Sequence, residues 1–124
     1  LKIMLGSASV EKAQGSMQVR GRDMVTGLPR VVEVPAKEIA VAMSEIIHQI
    51  LDAVKDVLEQ TPPEISADVI DHGIVLTGGG AMLRHLAEMI SKETQVPAFV
   101  ANDPLDCVAL GTGAILANPS LMKK

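Results

Sequence analysis

The stretch Ile74-Val75-Leu76-Thr77-Gly78-Gly79-Gly80-Ala81 decides how the rest of this chain is read. Three consecutive apolar residues suit a short buried strand, and the glycines after them allow a sharp turn in which no Cβ keeps a ligand off the backbone. Leu83, Leu86, Ala87 and Ile90 then fall three or four apart, which predicts a helix after the turn. Unpaired N–H groups at the start of that helix would face an anion, and a nucleotide is the guest such an arrangement suits. The pattern lacks the Gly-Lys-Ser/Thr ending of a P-loop and the spacing of the dinucleotide fingerprint, so a tight turn without a ligand is the alternative reading.

Downstream, residues 97–101 predict a second buried strand. Asp103-Pro104 supplies an N-cap and a first-position proline for a final helix, with Asp106 as a slightly later start, and Asn118-Pro119 stops it. Gly111 and Gly113 inside this helix each cost about 1 kcal/mol relative to Ala, which predicts close approach to another helix. The order strand, helix, strand, helix implies parallel strands flanked by helices.

Upstream, Ile39, Ala42, Met43, Ile46, Ile50, Val54, Val57 and Leu58 recur at helical spacing, with charged residues on the other arc, so a long amphipathic helix is predicted over 36–60. Thr61-Pro62-Pro63 ends it, because consecutive prolines remove donors and disfavour the α region before them. Residues 64–71 predict a shorter helix closed by His72-Gly73. Nearer the start, residues 17–23 and 30–35 alternate around the turn Thr26-Gly27-Leu28-Pro29, which predicts two antiparallel strands with one wet face. Residues 6–16 are small, polar and aperiodic, a loop.

Composition narrows the function. The chain has 124 residues, 48% of them hydrophobic and 21% charged, enough to fold as one domain or a piece of a larger one. Phe99 is the only aromatic residue and the net charge is −4, which together oppose nucleic acid as a partner. Charge is uneven: residues 1–35 carry +2, residues 36–71 carry −6 and the remainder balances. A lone Cys107 makes neither an intrachain disulfide nor a Cys-rich zinc site and fits the cytoplasm. The uncharged run 107–122 is too short and too interrupted to span a bilayer, and residues 1–10 hold no signal-peptide core, so a soluble chain is expected.

His48, His72 and His85 show no metal spacing and are read as ordinary surface or boundary residues. Cys107 sits near a helix start without a clear histidine partner, so no nucleophile is assigned to it. No catalytic and no metal-ligating residue is expected.

The run from Gly73 to Arg84 resembles the adenosine motif of the actin, Hsp70 and sugar-kinase superfamily, and Val108 to Gly113 resembles its second connecting helix. Within that superfamily, residues 19–29, Thr61-Pro62-Pro63-Glu64 and residues 103–113 resemble the rod shape-determining bacterial actins of the MreB/Mbl family, and the resemblance runs nearly end to end. It implies an α/β fold, domain II of an actin-like ATPase of ribonuclease H-like type, with a parallel or mixed sheet flanked by helices and a small α+β subdomain. It places the chain in the C-terminal half of such a molecule. Residues 1–5 would end an element leading in, residues 6–57 would form subdomain IIB and residues 58–124 would belong to IIA.

The same resemblance implies ATP as cofactor, with Gly78, Gly79, Gly80 and Ala81 against the adenosine and α-phosphate, Met82 close to the base, and Lys2 bordering adenine and ribose. The glutamate that accompanies this lysine in the family would lie just before Leu1. His85 stands where many relatives have Gly. The phosphate loops, the positions holding Mg²⁺ and the membrane-inserting part would all precede this segment, so the chain is not expected to hydrolyse ATP alone. The implied role is a filament-forming, cytoplasmic, membrane-associated actin that organises peptidoglycan synthesis and cell shape. Its partners would be copies of itself, membrane-anchored cell-shape proteins and, through the missing part, the inner membrane. The hairpin with Arg20, Arg22 and Asp23 is a candidate polymer surface, with a solvated edge as the alternative. A small-molecule kinase of the same superfamily and a stand-alone docking module are the rival readings.

Overall fold

Ala36–Glu59 form a single long helix along which the other elements are arranged. The computed structural model describes residues 1–118 and Ser120. In chain order the elements are α1 (Lys2–Leu5), β1 (Ser16–Arg22), β2 (Pro29–Pro35), α2 (Ala36–Glu59), α3 (Pro63–His72), β3 (Ile74–Leu76), α4 (Gly78–Ala81), α5 (Leu86–Thr94), β4 (Ala98–Val100) and α6 (Cys107–Ala117).

The core lies between α2 and α5. Ile47 and Leu51 of α2 meet Leu86 and Ile90 of α5 and Ala8 of the preceding loop, and Met43, Val54, Ile74, Leu76, Leu83, Met89 and Ala98 close around them. The predicted apolar arc of α2 needs correction: only Met43 and Val54 of it pack against this cluster, beside the buried Ile47 and Leu51, whereas Ile46, Ile50 and Val57 are exposed, as are Glu45, Asp52 and Glu59. After α2, Pro62 precedes α3 and Pro63 takes its first position, where a missing N–H costs nothing. Gly73 then turns into β3 with φ +81, and a Cβ there would lie 2.7 Å from the carbonyl oxygen of Pro97, so only glycine permits the close approach. β3 and β4 pair in parallel, with Ile74 opposite Ala98, Val75 opposite Phe99 and Leu76 opposite Val100. β1 and β2 pair antiparallel, with Val19 opposite Val32; Met17, Val19 and Val34 are half-buried while most of their neighbours are exposed. The predicted antiparallel hairpin is thus present, but Val31 and Val32 are both exposed and no residue of either strand is buried, so both faces are largely wet.

Several expectations need correction. The helix expected straight after the glycine turn is broken: α4 is one turn, and α5 begins only after His85, whose φ of 65° puts it in the left-handed region. The final helix starts at Cys107 and not at Pro104, because Asp103 also has positive φ and the Pro104 carbonyl accepts the Gly78 N–H at 2.7 Å. Asp106, the later start, occupies the N-cap position without a side-chain cap bond. Pro119, expected to stop this helix, lies outside the described residues.

Helix α6 also lacks the neighbour that Gly111 and Gly113 predict. Among the described residues, no atom beyond the helix's own adjacent backbone and the glycines' chain neighbours lies within 4 Å of where a Cβ would stand at either glycine. Val108, Leu110 and Leu116 are 76%, 62% and 82% exposed. Among the described residues no helix is long and apolar enough to cross a membrane.

Candidate functional site

Leu76 leaves the sheet, Thr77 stays extended, and Gly78 turns the chain with φ +79 into the single helical turn Gly78–Ala81. The bond from the Gly78 N–H to Pro104 anchors this turn to residues 103–106. A Cβ at Gly78 or Gly80 would meet nothing within 4 Å, and one at Gly79 would meet only Leu105 Cδ2, at 3.6 Å. The turn therefore offers bare backbone to open space, while Ala81 is buried and fixes it to the core side. Met82, the next residue, is 60% exposed. These are properties that a nucleoside phosphate lying against the backbone requires.

Lys2 is exposed on α1. Arg84 ties α1 to the segment that follows the glycine turn: its Nε donates to the Gly6 carbonyl at 3.0 Å and its Nη2 to the Met4 carbonyl at 3.1 Å. Carbonyls at a helix end have no partner within the helix, and the guanidinium supplies one. The Ala8 N–H donates to the Arg84 carbonyl at 2.8 Å, and Ser7 forms a parallel bridge with Arg84. Ser7 is 1% exposed; its hydroxyl donates to the Ser9 carbonyl at 2.8 Å and faces His85 Nδ1 at 2.9 Å. With the hydroxyl proton committed to Ser9, Nδ1 is the donor of that pair.

His85 is a boundary residue, half-buried, as the reading of a surface or boundary position allows, but it also bonds buried Ser7. Its backbone adopts the left-handed conformation that glycine favours, φ 65°. His48 and His72 each bond by Nδ1 to the carbonyl four residues earlier in their own helices, Ser44 at 2.7 Å and Asp68 at 2.9 Å, and join no site. Cys107 Sγ faces the carbonyls of Asn102 and Asp103 at 3.6 and 3.5 Å. Among the described residues no group of His, Cys, Asp and Glu is arranged to hold a metal ion.

Two clefts lie away from the glycine turn. One, of about 290 Å³, lies between the 8–12 loop, α2 and α5 and includes His48, His85 and Glu88. Salt bridges Lys12–Glu88 and Lys55–Glu93, the latter at 2.7 Å, join the loop and α2 to α5. The lysines hold both glutamates below their usual range, and Glu93 holds Lys55 above its own. The other cleft, of about 480 Å³, is apolar and lined by Ile50, Ala53, Val54, Val57, Leu58 and Ile74.

The family described as MreB/Mbl protein matches residues 1–124. The cell shape-determining protein Mbl of Bacillus subtilis is 45% identical over 124 residues, covering 100% of this chain and 37% of the relative. MreB5 of Spiroplasma citri, in a crystal structure bound to ADP, superposes with a TM-score of 0.85 at 33% identity, over 99% of this chain and 38% of that one. A MamK double helical filament superposes with a TM-score of 0.66 at 21% identity, over 84% of this chain and 31% of that one, a likeness of fold alone. The fold is therefore actin-like. This chain spans somewhat over a third of the length of these proteins, less than the half that the motifs suggest.

Proposed function

This chain belongs to the MreB/Mbl protein family, and on that footing we propose that it supplies the adenosine-binding side of an ATP-dependent, filament-forming bacterial actin that maintains cell shape. The observation that carries this reading is the glycine turn, whose backbone is bare and open at Gly78 and Gly80. The likeness to MreB5 bound to ADP supports it. Gly78, Gly79, Gly80 and Ala81 lie along the adenosine and α-phosphate, Met82 lies beside the base, and Lys2 borders the ribose. Bound ATP supplies the cleavable phosphate; the remainder of the protein holds Mg²⁺ and the phosphates, while the residues here bind and orient the nucleoside.

ATP held between this segment and the remainder favours one relative angle of the two through contacts made only in that state. The exposed apolar sides of α6 are covered by that remainder, since a helix apolar all round belongs inside a larger structure. Self-association uses the hairpin, whose tip presents Met24 and Val25 at 95% exposure. The assembled protein works at the cytoplasmic face of the inner membrane with membrane-anchored cell-shape partners and organises peptidoglycan synthesis. Relatives that determine cell shape favour this over a small-molecule kinase.

The test is Gly79→Val in the full-length protein. A branched side chain on the bare turn lowers ATP affinity by at least about tenfold, on the order of 1.4 kcal/mol, in a fluorescent-nucleotide titration, and ATP-dependent pelleting falls with it. Unchanged ATP binding overturns the nucleotide reading.

A further inference from the structure

The two groups assigned to the adenosine come from stretches far apart in the sequence, Lys2 on α1 and the glycine turn before α5. A grip on one nucleoside requires their separation to be fixed, and the contacts that join their segments are concentrated in Arg84 and His85. Arg84 lies two residues after Met82, and its guanidinium holds Met4, 80 residues away in sequence, and Gly6. Its carbonyl receives the Ala8 N–H, and Leu83 Cδ1 lies 3.1 Å from where a Cβ at Gly6 would stand. His85 keeps a left-handed backbone that disfavours any side chain, and its ring bonds buried Ser7 from that position. Five consecutive residues, Met4 to Ala8, are thereby clasped to the end of the glycine motif.

We infer that Arg84 and His85 are positioning residues for the nucleotide: they hold α1 against the end of the glycine motif and so set Lys2 opposite the turn. This rests on the nucleotide reading above. Neither side chain has to touch the nucleotide, and both act through Lys2. A lysine does not replace Arg84, because a single ammonium lacks the planar fork that spans two carbonyls.

The experiment uses the full-length protein and compares ATP with inorganic tripolyphosphate, which carries the phosphates without the adenosine. Arg84→Ala lowers ATP affinity about tenfold, through the freed position of α1, and leaves tripolyphosphate affinity unchanged. In a Lys2→Ala background the same substitution costs nothing further, because the two act as one unit. His85→Gly, which suits the left-handed backbone, folds even if Arg84→Ala does not; it weakens ATP binding about threefold and speeds amide exchange at Ala8 without lowering the melting temperature. An Arg84→Ala effect of equal size with and without Lys2, or equal losses for ATP and tripolyphosphate, overturns the inference. Unchanged ATP affinity in both Arg84→Ala and His85→Gly also overturns it, with the nucleotide reading intact if Gly79→Val still weakens binding. ATP affinity unchanged by Gly79→Val removes the nucleotide reading itself.

Discussion

The seam between α2 and α5 and the surface of α6 are made of similar aliphatic side chains with opposite fates. In the seam, Ile47 is 2% exposed and Ile90 1%, because Ile47 and Leu51 of α2 face Leu86 and Ile90 of α5, while Val41, Ile46 and Val57 of α2 stay exposed. Along α6, Val108, Leu110 and Leu116 are largely exposed and Ile115 is partly so, and α6 has no buried residue. The pattern of α2 announces a helix that packs on one side without fixing which residues meet the partner, since Ile47 and Leu51 are buried and Ile46 is not; a uniformly apolar helix states only that it needs cover. The hairpin is a third case, held by pairing and local polar bonds with little burial.

The widest separation of the two regions comes from truncating one side chain in each. Ile47→Ala destabilises by about 2–5 kcal/mol, transfer loss plus cavity, whereas Leu116→Ala in the 124-residue chain changes stability by less than about 0.5 kcal/mol, both read from urea unfolding. Equal costs would break the contrast. A smaller effect with an informative sign comes from Gly113→Ala. With open space around it, the added methyl raises helix stability by up to about 1 kcal/mol in the 124-residue chain. In the full-length protein, where another element lies against α6, the same substitution lowers the melting temperature. A gain in both settings removes the covered-helix argument.

The smallest effect concerns the hairpin. The amide N–H groups of Thr26 and Val25, joined by Arg30, hold the Asp23 carboxyl down from 3.8 to about 2. Because the folded value lies below the ordinary one, this contribution to stability is complete above the ordinary value and is lost as pH falls through about 2. Amide shifts of Val25 and Thr26 followed by NMR report a midpoint near that value. A midpoint near 3.8 means that the turn is held by strand pairing alone.

Much of the fold was legible in local pattern. The long helix, the antiparallel hairpin and the parallel pair β3–β4 follow from period 3.6, from alternation around Thr26-Gly27 and from short apolar runs between turn residues. The glycine turn was equally visible, since three adjacent glycines after an apolar run have few other uses. The start of α6 was legible only as one of two readings, Asp103-Pro104 or Asp106, and the structure takes Asp106, because the Pro104 carbonyl accepts a bond from Gly78, a residue remote in sequence. The break at His85 was not legible, because propensity favours continuing the helix and a bridge to Ser7 prevents it.

The dividing line follows the range of the forces. Periodicity, proline punctuation and glycine freedom act within a few residues, so the order and type of elements, the bare turn at Gly78–Gly80 and the resemblance to bacterial actins are all written along the chain. The clasp of Arg84 on Met4 and Gly6, the burial of Ser7 beneath His85 and the nakedness of α6 depend on which distant surfaces meet. Those meetings are set by long-range packing, and only the folded molecule brings the partners within hydrogen-bonding reach.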